Sequence, residues 1–215
     1  MSKADRVYFE CELKKELKNI VCDELAVKAV KNGLRFRFEK RLVAELDFQY
    51  LVKTHAYTLI GRVFGGPIFD CMSKINAPYN SNLGSDACFS FTTSGRQDKK
   101  FSPSIYGTIA IPQPEHANEV CKHIRRTLEE HYIPLIIGCI LPSDRTIDDV
   151  LYSPRDYSYP AAFIHCAATY NLSILKNDMM EKIKTNKYVI KNKPFDLGLL
   201  NACLSQDAGL LETKY

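Results

Sequence analysis

The chain has 215 residues, of which 46% are hydrophobic and 25% charged, a composition that is typical of globular proteins and argues against disorder or membrane embedding. The formal net charge of +4 is compatible with nucleic-acid binding without requiring it. No apolar run reaches the roughly 20 residues of a membrane helix, and the N-terminus opens into a charged segment, so we expect a cytoplasmic or nuclear protein with no membrane contact.

An amphipathic helix is predicted first, because apolar residues recur at a spacing near 3.6 between residues 8 and 31. Gly33 is expected to end this helix. From residue 34 onward apolar and charged residues alternate, which predicts antiparallel strands with one solvent-exposed face and a turn near Lys40 and Arg41. The strands predicted in this portion are 34–38, 42–48, 57–64 and 87–91.

A different pattern begins near residue 104. Residues 135–141 are continuously apolar, which is typical of a parallel strand covered on both faces. A strand at 105–111 and a helix that starts at Pro112 precede it, so the segment predicts a right-handed βαβ crossover. The elements predicted after it are helices at 143–151 and 161–170, a strand at 172–175 and a helix at 178–184.

The predicted fold class is therefore α/β, or α+β overall. An N-terminal helix and antiparallel strands are followed by a βαβαβ parallel-sheet unit. We predict a single structural unit over residues 1–215. Its portions are a helix plus β-rich part at 1–101, an α/β part at 102–190 and a C-terminal segment at 191–215.

The eight cysteines stand singly, with no Cys-x-x-Cys pair. Disulfide frameworks are typical of small secreted chains, and structural zinc sites need ligands at short spacing. We therefore expect reduced thiols that pack as small core residues.

Carboxylates follow the predicted parallel strands. Glu115, Asp144 and Asp178 each lie just beyond a strand end, where ligands gather in open α/β sheets. Three carboxylates brought together would bind Mg²⁺ or Mn²⁺, which can activate water for phosphodiester hydrolysis. The alternative is that Glu115 and Asp178 are first-turn residues favoured by the helix dipole and that Asp144 caps a helix.

Residues 160–181 resemble the final segment of PIN-like nuclease domains, including the NYN subgroup and protein-only ribonuclease P. An apolar helix, a short strand and then Asn177-Asp178 opening another helix carry the resemblance. It implies a metal-dependent ribonuclease in which Asp178 is catalytic and binds metal. Their places at the predicted strand ends make Asp144 a further catalytic and metal-binding acid and Glu115 a further catalytic acid. The first-strand aspartate and the paired acids of the family are unmatched here, so the resemblance implies a degraded or weakly active site.

Basic residues near the C-terminal end of the chain are a candidate nucleic-acid surface. Lys184, Lys187 and Lys191 are interleaved with Tyr188, a pattern that can follow a phosphate backbone. A solvated lysine-rich surface is the alternative interpretation.

The function predicted from these patterns is an RNA-associated α/β domain that resembles PIN-like nucleases and serves as a subunit of an RNA-processing complex. The expected partners are RNA and protein, with Mg²⁺ or Mn²⁺ as cofactor if the site is active. An alternative is a protein-interaction subunit without nucleic-acid contact, in which the first helix and the antiparallel sheet present the partner surface. A small-molecule enzyme whose pocket the sequence does not locate is the third hypothesis.

Overall fold

The computed structural model describes residues 3–94, 101, 107–175 and 177–211, with side chains described for all of these except 172, 177, 178 and 204–211. The fold is a mixture of helices and antiparallel strands. The helices are α1 (Lys3–Leu17), α2 (Pro67–Met72), α3 (Ala117–Thr127), α4 (Ile133–Gly138), α5 (Thr146–Tyr152), α6 (Pro160–Tyr170), α7 (Asn177–Thr185) and α8 (Lys193–Leu211). The strands are β1 (Ala26–Val30), β2 (Gly33–Phe38), β3 (Arg41–Leu51), β4 (Ala56–Val63), β5 (Phe89–Thr92) and β6 (Ile109–Ala110).

The chain forms two compact units. The first consists of Met1–Arg62 and Phe91–Ile136, and the second of Val63–Ser90 and Ile137–Tyr215. No helix in the described ranges is both long enough and apolar enough to cross a membrane.

The sheet has the strand order β1-β2-β3-β4-β5, with β6 paired to β4. The predicted strands near residues 34–38, 42–48 and 57–64 are confirmed as β2, β3 and β4. Glu39 and Lys40 join β2 to β3 with φ angles of 49° and 69°, a tight turn whose twist matches that of the flanking strands. The alternation predicted this hairpin, with the turn placed one residue too late, near Lys40 and Arg41.

The N-terminal helix was predicted too long. It ends at Leu17, and residues 26–30 form β1, whose Val30 pairs with Gly33 of β2. The two-residue turn of this hairpin is Lys31 and Asn32, so Gly33 is the first residue of β2 and does not end a helix. Glycine is required at position 33 because the backbone of β3 approaches it closely. An added Cβ would lie 1.9 Å from the carbonyl oxygen of Leu46 on β3.

The core of the first unit lies where α1 and α3 pack together beside the sheet. Phe9 and Leu13 on α1 and Ile124 on α3 are buried, as are Phe36 and Leu46 on the strands. Strand residues alternate between this core and a charged face. On that face Arg35 is 3.6 Å from Glu45 and 2.9 Å from Asp47, and Arg62 is also ion-paired with Glu45.

The predicted parallel βαβαβ unit is wrong. Residues 133–138 form helix α4, Leu172–Ile174 form one short helical turn, and β6 runs antiparallel to β4. Residues 105 and 106 of the predicted first strand lie outside the described residues. A short, continuously apolar run fits a buried helix as well as a buried strand, and here the helix forms directly after α3 and its extension over Leu128–Tyr132.

The second unit is built around α6, which packs against α2, α5 and α8. The helices predicted at 143–151, 161–170 and 178–184 are confirmed as α5, α6 and α7. Nearly every residue of α6 is apolar and buried, from Pro160 to Ala168 with the exception of His165. A helix that is apolar on all sides belongs in the middle of a helical layer.

A disulfide joins Cys71 of α2 to Cys166 of α6, with a Cα–Cα distance of 5.7 Å. The expectation of reduced thiols is therefore wrong for this pair. Sequence spacing does not predict it, because the two residues are 95 positions apart. The remaining cysteines are free, and those at 88, 121, 139 and 203 are buried in the core as expected.

Removing this disulfide should destabilise the protein. A cross-link that closes a loop of 95 residues restricts the unfolded chain, and its loss should lower the free energy of unfolding by about 2–4 kcal/mol. Urea unfolding of wild type and Cys71→Ser, each with and without dithiothreitol, measures this difference. The reductant should lower the urea concentration at the unfolding midpoint of wild type and leave that of Cys71→Ser unchanged. The control is Cys11→Ser, which changes an exposed free thiol. Equal stability of all four samples would contradict the prediction.

Candidate nucleic-acid interface

The structure describes the surroundings of two of the three predicted acidic site residues, and the side chain of the third lies outside the described residues. Glu115 is exposed in the short turn Pro114–His116 of the first unit, and Asp144 is exposed just before α5 in the second. Asp178 is the second residue of α7, and its side chain lies outside the described residues. Within the described ranges no three His, Cys, Asp or Glu side chains are grouped so that they could hold a metal ion. The parallel strand ends that were to bring the acids together are absent, and the metal site stays a prediction.

The three predicted nucleic-acid-binding lysines are all exposed on the second unit, but their surroundings differ. Lys184 forms an ion pair with Glu181 one turn away on α7, at 3.7 Å. The Lys187 ammonium lies 5.3 Å from the ring centre of Tyr188. The Lys191 ammonium lies 5.8 Å from the ring centre of Tyr79.

Aromatic rings and cationic side chains share one surface of the second unit. The Arg155 guanidinium lies 4.5 Å from the ring centre of Tyr188, so this ring has Arg155 as well as Lys187 beside it. Tyr188 is 41% exposed. Each such contact is worth about 0.5–1 kcal/mol at an exposed site. We call this group the basic-aromatic surface, and its members are Tyr79, Arg155, Lys187, Tyr188 and Lys191.

A buried carboxylate fixes one side of the basic-aromatic surface. Asp196 is 0% exposed, yet its carboxylate accepts three hydrogen bonds. The Tyr79 hydroxyl donates one at 2.6 Å, and the backbone N–H groups of Lys191 and Asn192 donate the others at 2.8 and 2.7 Å. The carboxylate therefore holds the ring of Tyr79 and the backbone of Lys191 in one arrangement.

The position of Asp196 follows from how α8 begins. Asn192 precedes the helix, and its side-chain oxygen accepts a hydrogen bond from the N–H of Phe195 at 3.2 Å, as N-terminal capping residues do. Asp196 lies in the first turn, where the helix dipole favours a negative charge. Burial and the hydrogen bond to Asp196 raise the pKa of Tyr79, so that its hydroxyl keeps its proton and remains a donor.

An asparagine connects the rest of the basic-aromatic surface. The side-chain amide of Asn82 donates to the carbonyl oxygens of Tyr157 at 2.8 Å and Pro154 at 3.3 Å, and its oxygen accepts a hydrogen bond from the Lys191 ammonium. Pro154 directly precedes Arg155. Asn82 therefore joins the segment that carries Arg155 to Lys191.

The sequence identified only part of this surface. Lys187, Tyr188 and Lys191 are close together in the chain, whereas Tyr79 and Arg155 are distant from them and carry no motif. Asn192 with a proline two residues later is a helix-start signal that could have directed attention to the buried carboxylate in the next turn. Nothing in the residue pattern indicates that Arg155 lies over Tyr188.

A cysteine and histidine pair in the second unit is structural. The Cys203 sulfur lies 3.1 Å from Nδ1 of His165, but this nitrogen is also 2.8 Å from the carbonyl oxygen of Leu199, so Nδ1–H is a donor and not a base for the thiol. Cys203 is 1% exposed, and burial raises the pKa of its thiol. A buried, protonated thiol is a poor nucleophile. The pair joins α6 to α8.

The chain has no match among protein-family models, and neither a curated protein nor a solved structure matches it. The resemblance of residues 160–181 to PIN-like nucleases therefore stays a prediction. What the candidate interface can do has to be argued from its own residues.

Replacing the buried carboxylate should destabilise the second unit. Asp196→Ala would leave the Tyr79 hydroxyl and two backbone N–H groups without their acceptor, at a cost on the order of 3 kcal/mol. Tyr79→Phe removes one of the three hydrogen bonds and should cost about 1 kcal/mol. Urea unfolding followed by circular dichroism measures both losses.

The control for this pair is Asp148→Ala, which removes an exposed first-turn carboxylate from α5 and should cost less than about 1 kcal/mol. If Asp196→Ala is no more destabilising than Asp148→Ala, the carboxylate does not anchor the surface.

Proposed function

We propose that this chain is an RNA-associated protein that binds single-stranded RNA through the basic-aromatic surface, as a subunit of an RNA-processing complex. The observation that carries the proposal is the exposed ring of Tyr188 with two cations, Arg155 and Lys187, close to its centre, together with Lys191 over the ring of Tyr79. Single-strand binders combine cations for the phosphates with aromatic rings for the bases.

The cations of this surface are available to a ligand. Among the described residues, Arg155, Lys187 and Lys191 form no ion pair with a carboxylate, whereas Lys184 is paired with Glu181. A cation without a carboxylate partner gains more from a phosphate than one that must first give up an ion pair. We therefore assign Lys187 and Lys191 to the binding surface and give Lys184 a smaller part.

The charged face of the sheet in the first unit is a weaker candidate. Arg35 is paired with both Glu45 and Asp47, and Arg62 is paired with Glu45. The positive charge of this face is largely neutralised by its own carboxylates, which would also repel phosphates. Arg35 and Arg62 are therefore better explained as partners of the neighbouring acids.

The resemblance of residues 160–181 to PIN-like nucleases supports RNA as the ligand. It would also make Asp178 a ligand of Mg²⁺ or Mn²⁺, with Asp144 as the second metal ligand and Glu115 as a further catalytic acid. The basic-aromatic surface does not depend on those acids, since cations and rings are sufficient for single-strand binding. We therefore propose binding as the main role, in the cytoplasm or nucleus, and a degraded or weak catalytic site.

RNA binding should depend on salt and on two lysines. Lys187→Glu combined with Lys191→Glu should weaken the binding of single-stranded RNA roughly tenfold or more, because each lost phosphate contact removes one released counterion. Fluorescence anisotropy with a labelled oligoribonucleotide at about 50 and about 200 mM salt gives both the affinity and its salt slope.

The matched control is Lys28→Glu combined with Lys31→Glu, which makes the same change in net charge at exposed positions of the first unit. It should retain most of the affinity. Equal losses in the two double variants would reduce the effect to net charge and remove the basic-aromatic surface from the proposal.

Nuclease activity should be weak at most. Phosphodiester cleavage by two-metal chemistry requires several carboxylates around cations about 4 Å apart, and the described residues contain no group of three acids or other ligands that could hold a metal. Turnover of single-stranded RNA in Mg²⁺ or Mn²⁺ should be compared for wild type and Asp178→Asn, after both are shown to fold. Rapid metal-dependent cleavage that this substitution abolishes would contradict the expectation and make Asp178 catalytic.

A further inference from the structure

A cavity of about 440 Å³ lies within the second unit. This volume falls in the range of small-molecule sites, roughly 300–1,000 Å³. Apolar and aromatic side chains form part of its lining, among them Phe69, Met72 and Tyr159. Such walls suit a flat, unsaturated ring.

The rest of the cavity lining is polar. Several serines and Asp86 are among its lining residues. Some of the hydroxyls are already used: Ser81 accepts from the N–H of Leu83 at 2.9 Å, and Ser158 donates to the carbonyl oxygen of Cys88 at 3.4 Å. Asp86 is exposed and has no hydrogen-bond partner among the described residues. A carboxylate with free lone pairs is a suitable acceptor for the hydroxyls of a sugar.

Two contacts join the cavity to the basic-aromatic surface. Tyr159, which lines the cavity, meets Tyr79 edge to face with ring centres 5.6 Å apart. Asn82 stands in the chain between two lining residues, Ser81 and Leu83, and accepts a hydrogen bond from the Lys191 ammonium. A ligand in the cavity that carries a phosphate would therefore have a cation beside it.

We infer that this cavity is a ribonucleotide pocket, which receives one nucleotide of an RNA strand bound on the basic-aromatic surface. The base packs against the walls that include Phe69 and Tyr159, and Asp86 accepts hydrogen bonds from the ribose hydroxyls. Lys191 binds the phosphate. The 2′-hydroxyl is the group that distinguishes RNA from DNA, so this pocket gives a preference for RNA. The inference deepens the proposed function and rests on it.

Filling the cavity is the first test. Gly84 is one of the residues that line the cavity, and an added Cβ there would meet no atom within 4 Å. Its backbone is outside the left-handed region, so Gly84→Leu introduces a side chain into open space without backbone strain. Gly198 on α8 has equally open space around an added Cβ and does not line the cavity, which makes Gly198→Leu the matched control. Gly84→Leu should weaken the binding of oligoribonucleotide about tenfold, and Gly198→Leu should not change it.

Removing the acceptor is the second test, and it does not depend on the folding of Gly84→Leu. Wild type should bind an oligoribonucleotide about tenfold more tightly than the DNA of the same sequence, and Asp86→Ala should reduce this ratio to near one. Anisotropy gives both affinities. A mixture of the four ribonucleoside 5′-monophosphates, titrated against wild type and both variants by calorimetry, tests the cavity without the rest of the strand.

The outcomes separate the inference from the proposed function. If Lys187→Glu with Lys191→Glu weakens RNA binding while Gly84→Leu and Asp86→Ala leave the affinity and the RNA-to-DNA ratio unchanged, the pocket is refuted and the RNA surface stands. If the mononucleotides bind, Gly84→Leu abolishes that binding and no oligonucleotide binds, the cavity binds free mononucleotides only, and both the proposed function and the inference that the cavity receives a nucleotide of a bound strand are overturned. If neither mononucleotide nor oligonucleotide binds, both are overturned.

Discussion

The basic-aromatic surface depends on the burial of one charge, the carboxylate of Asp196. A buried carboxylate is tolerated only when donors satisfy its oxygens. Here the donors are the hydroxyl of Tyr79 and the N–H groups of Lys191 and Asn192. Because the Asp196 carboxylate accepts hydrogen bonds from all three donors, the segment that carries Tyr79 and the turn before α8 are fixed to each other. The position of Lys191 over the ring of Tyr79 is a consequence of this constraint.

Such anchoring matters for a binding surface that consists of long, exposed side chains. Immobilising a free lysine on a ligand costs roughly 0.5–1.5 kcal/mol in side-chain entropy, which offsets part of what each phosphate contact contributes. The hydrogen bond from Lys191 to Asn82 and the contact of Arg155 with the ring of Tyr188 restrict these cations before a ligand arrives. The cations and aromatic rings of the second unit are therefore held in a partly fixed arrangement before a ligand binds.

The sequence predicted elements whose signals are local. The hairpin turn at Glu39 and Lys40 and the apolar helix α6 were recognised because a short window contains their whole pattern. The apolar run at 135–141 was misjudged because period alone does not separate a buried helix from a buried strand. Tyr79 and Arg155, like the disulfide partners Cys71 and Cys166, could not be placed, because only the folded chain brings distant residues together.

Net charge is a poor guide to where an anionic ligand would bind this chain. The value of +4 is small, and many of the basic residues are neutralised locally, as Arg35 is by Glu45 and Asp47. A phosphate interacts mainly with the charges close to its binding position, because salt screens the field of each exposed charge beyond about 8–10 Å at ordinary ionic strength. At the basic-aromatic surface the ammonium groups of Lys187 and Lys191 contact tyrosine rings and an amide, and among the described residues neither ammonium forms an ion pair with a carboxylate. A ring stabilises a cation without neutralising it, so the charge remains available to the ligand while the side chain is held in place.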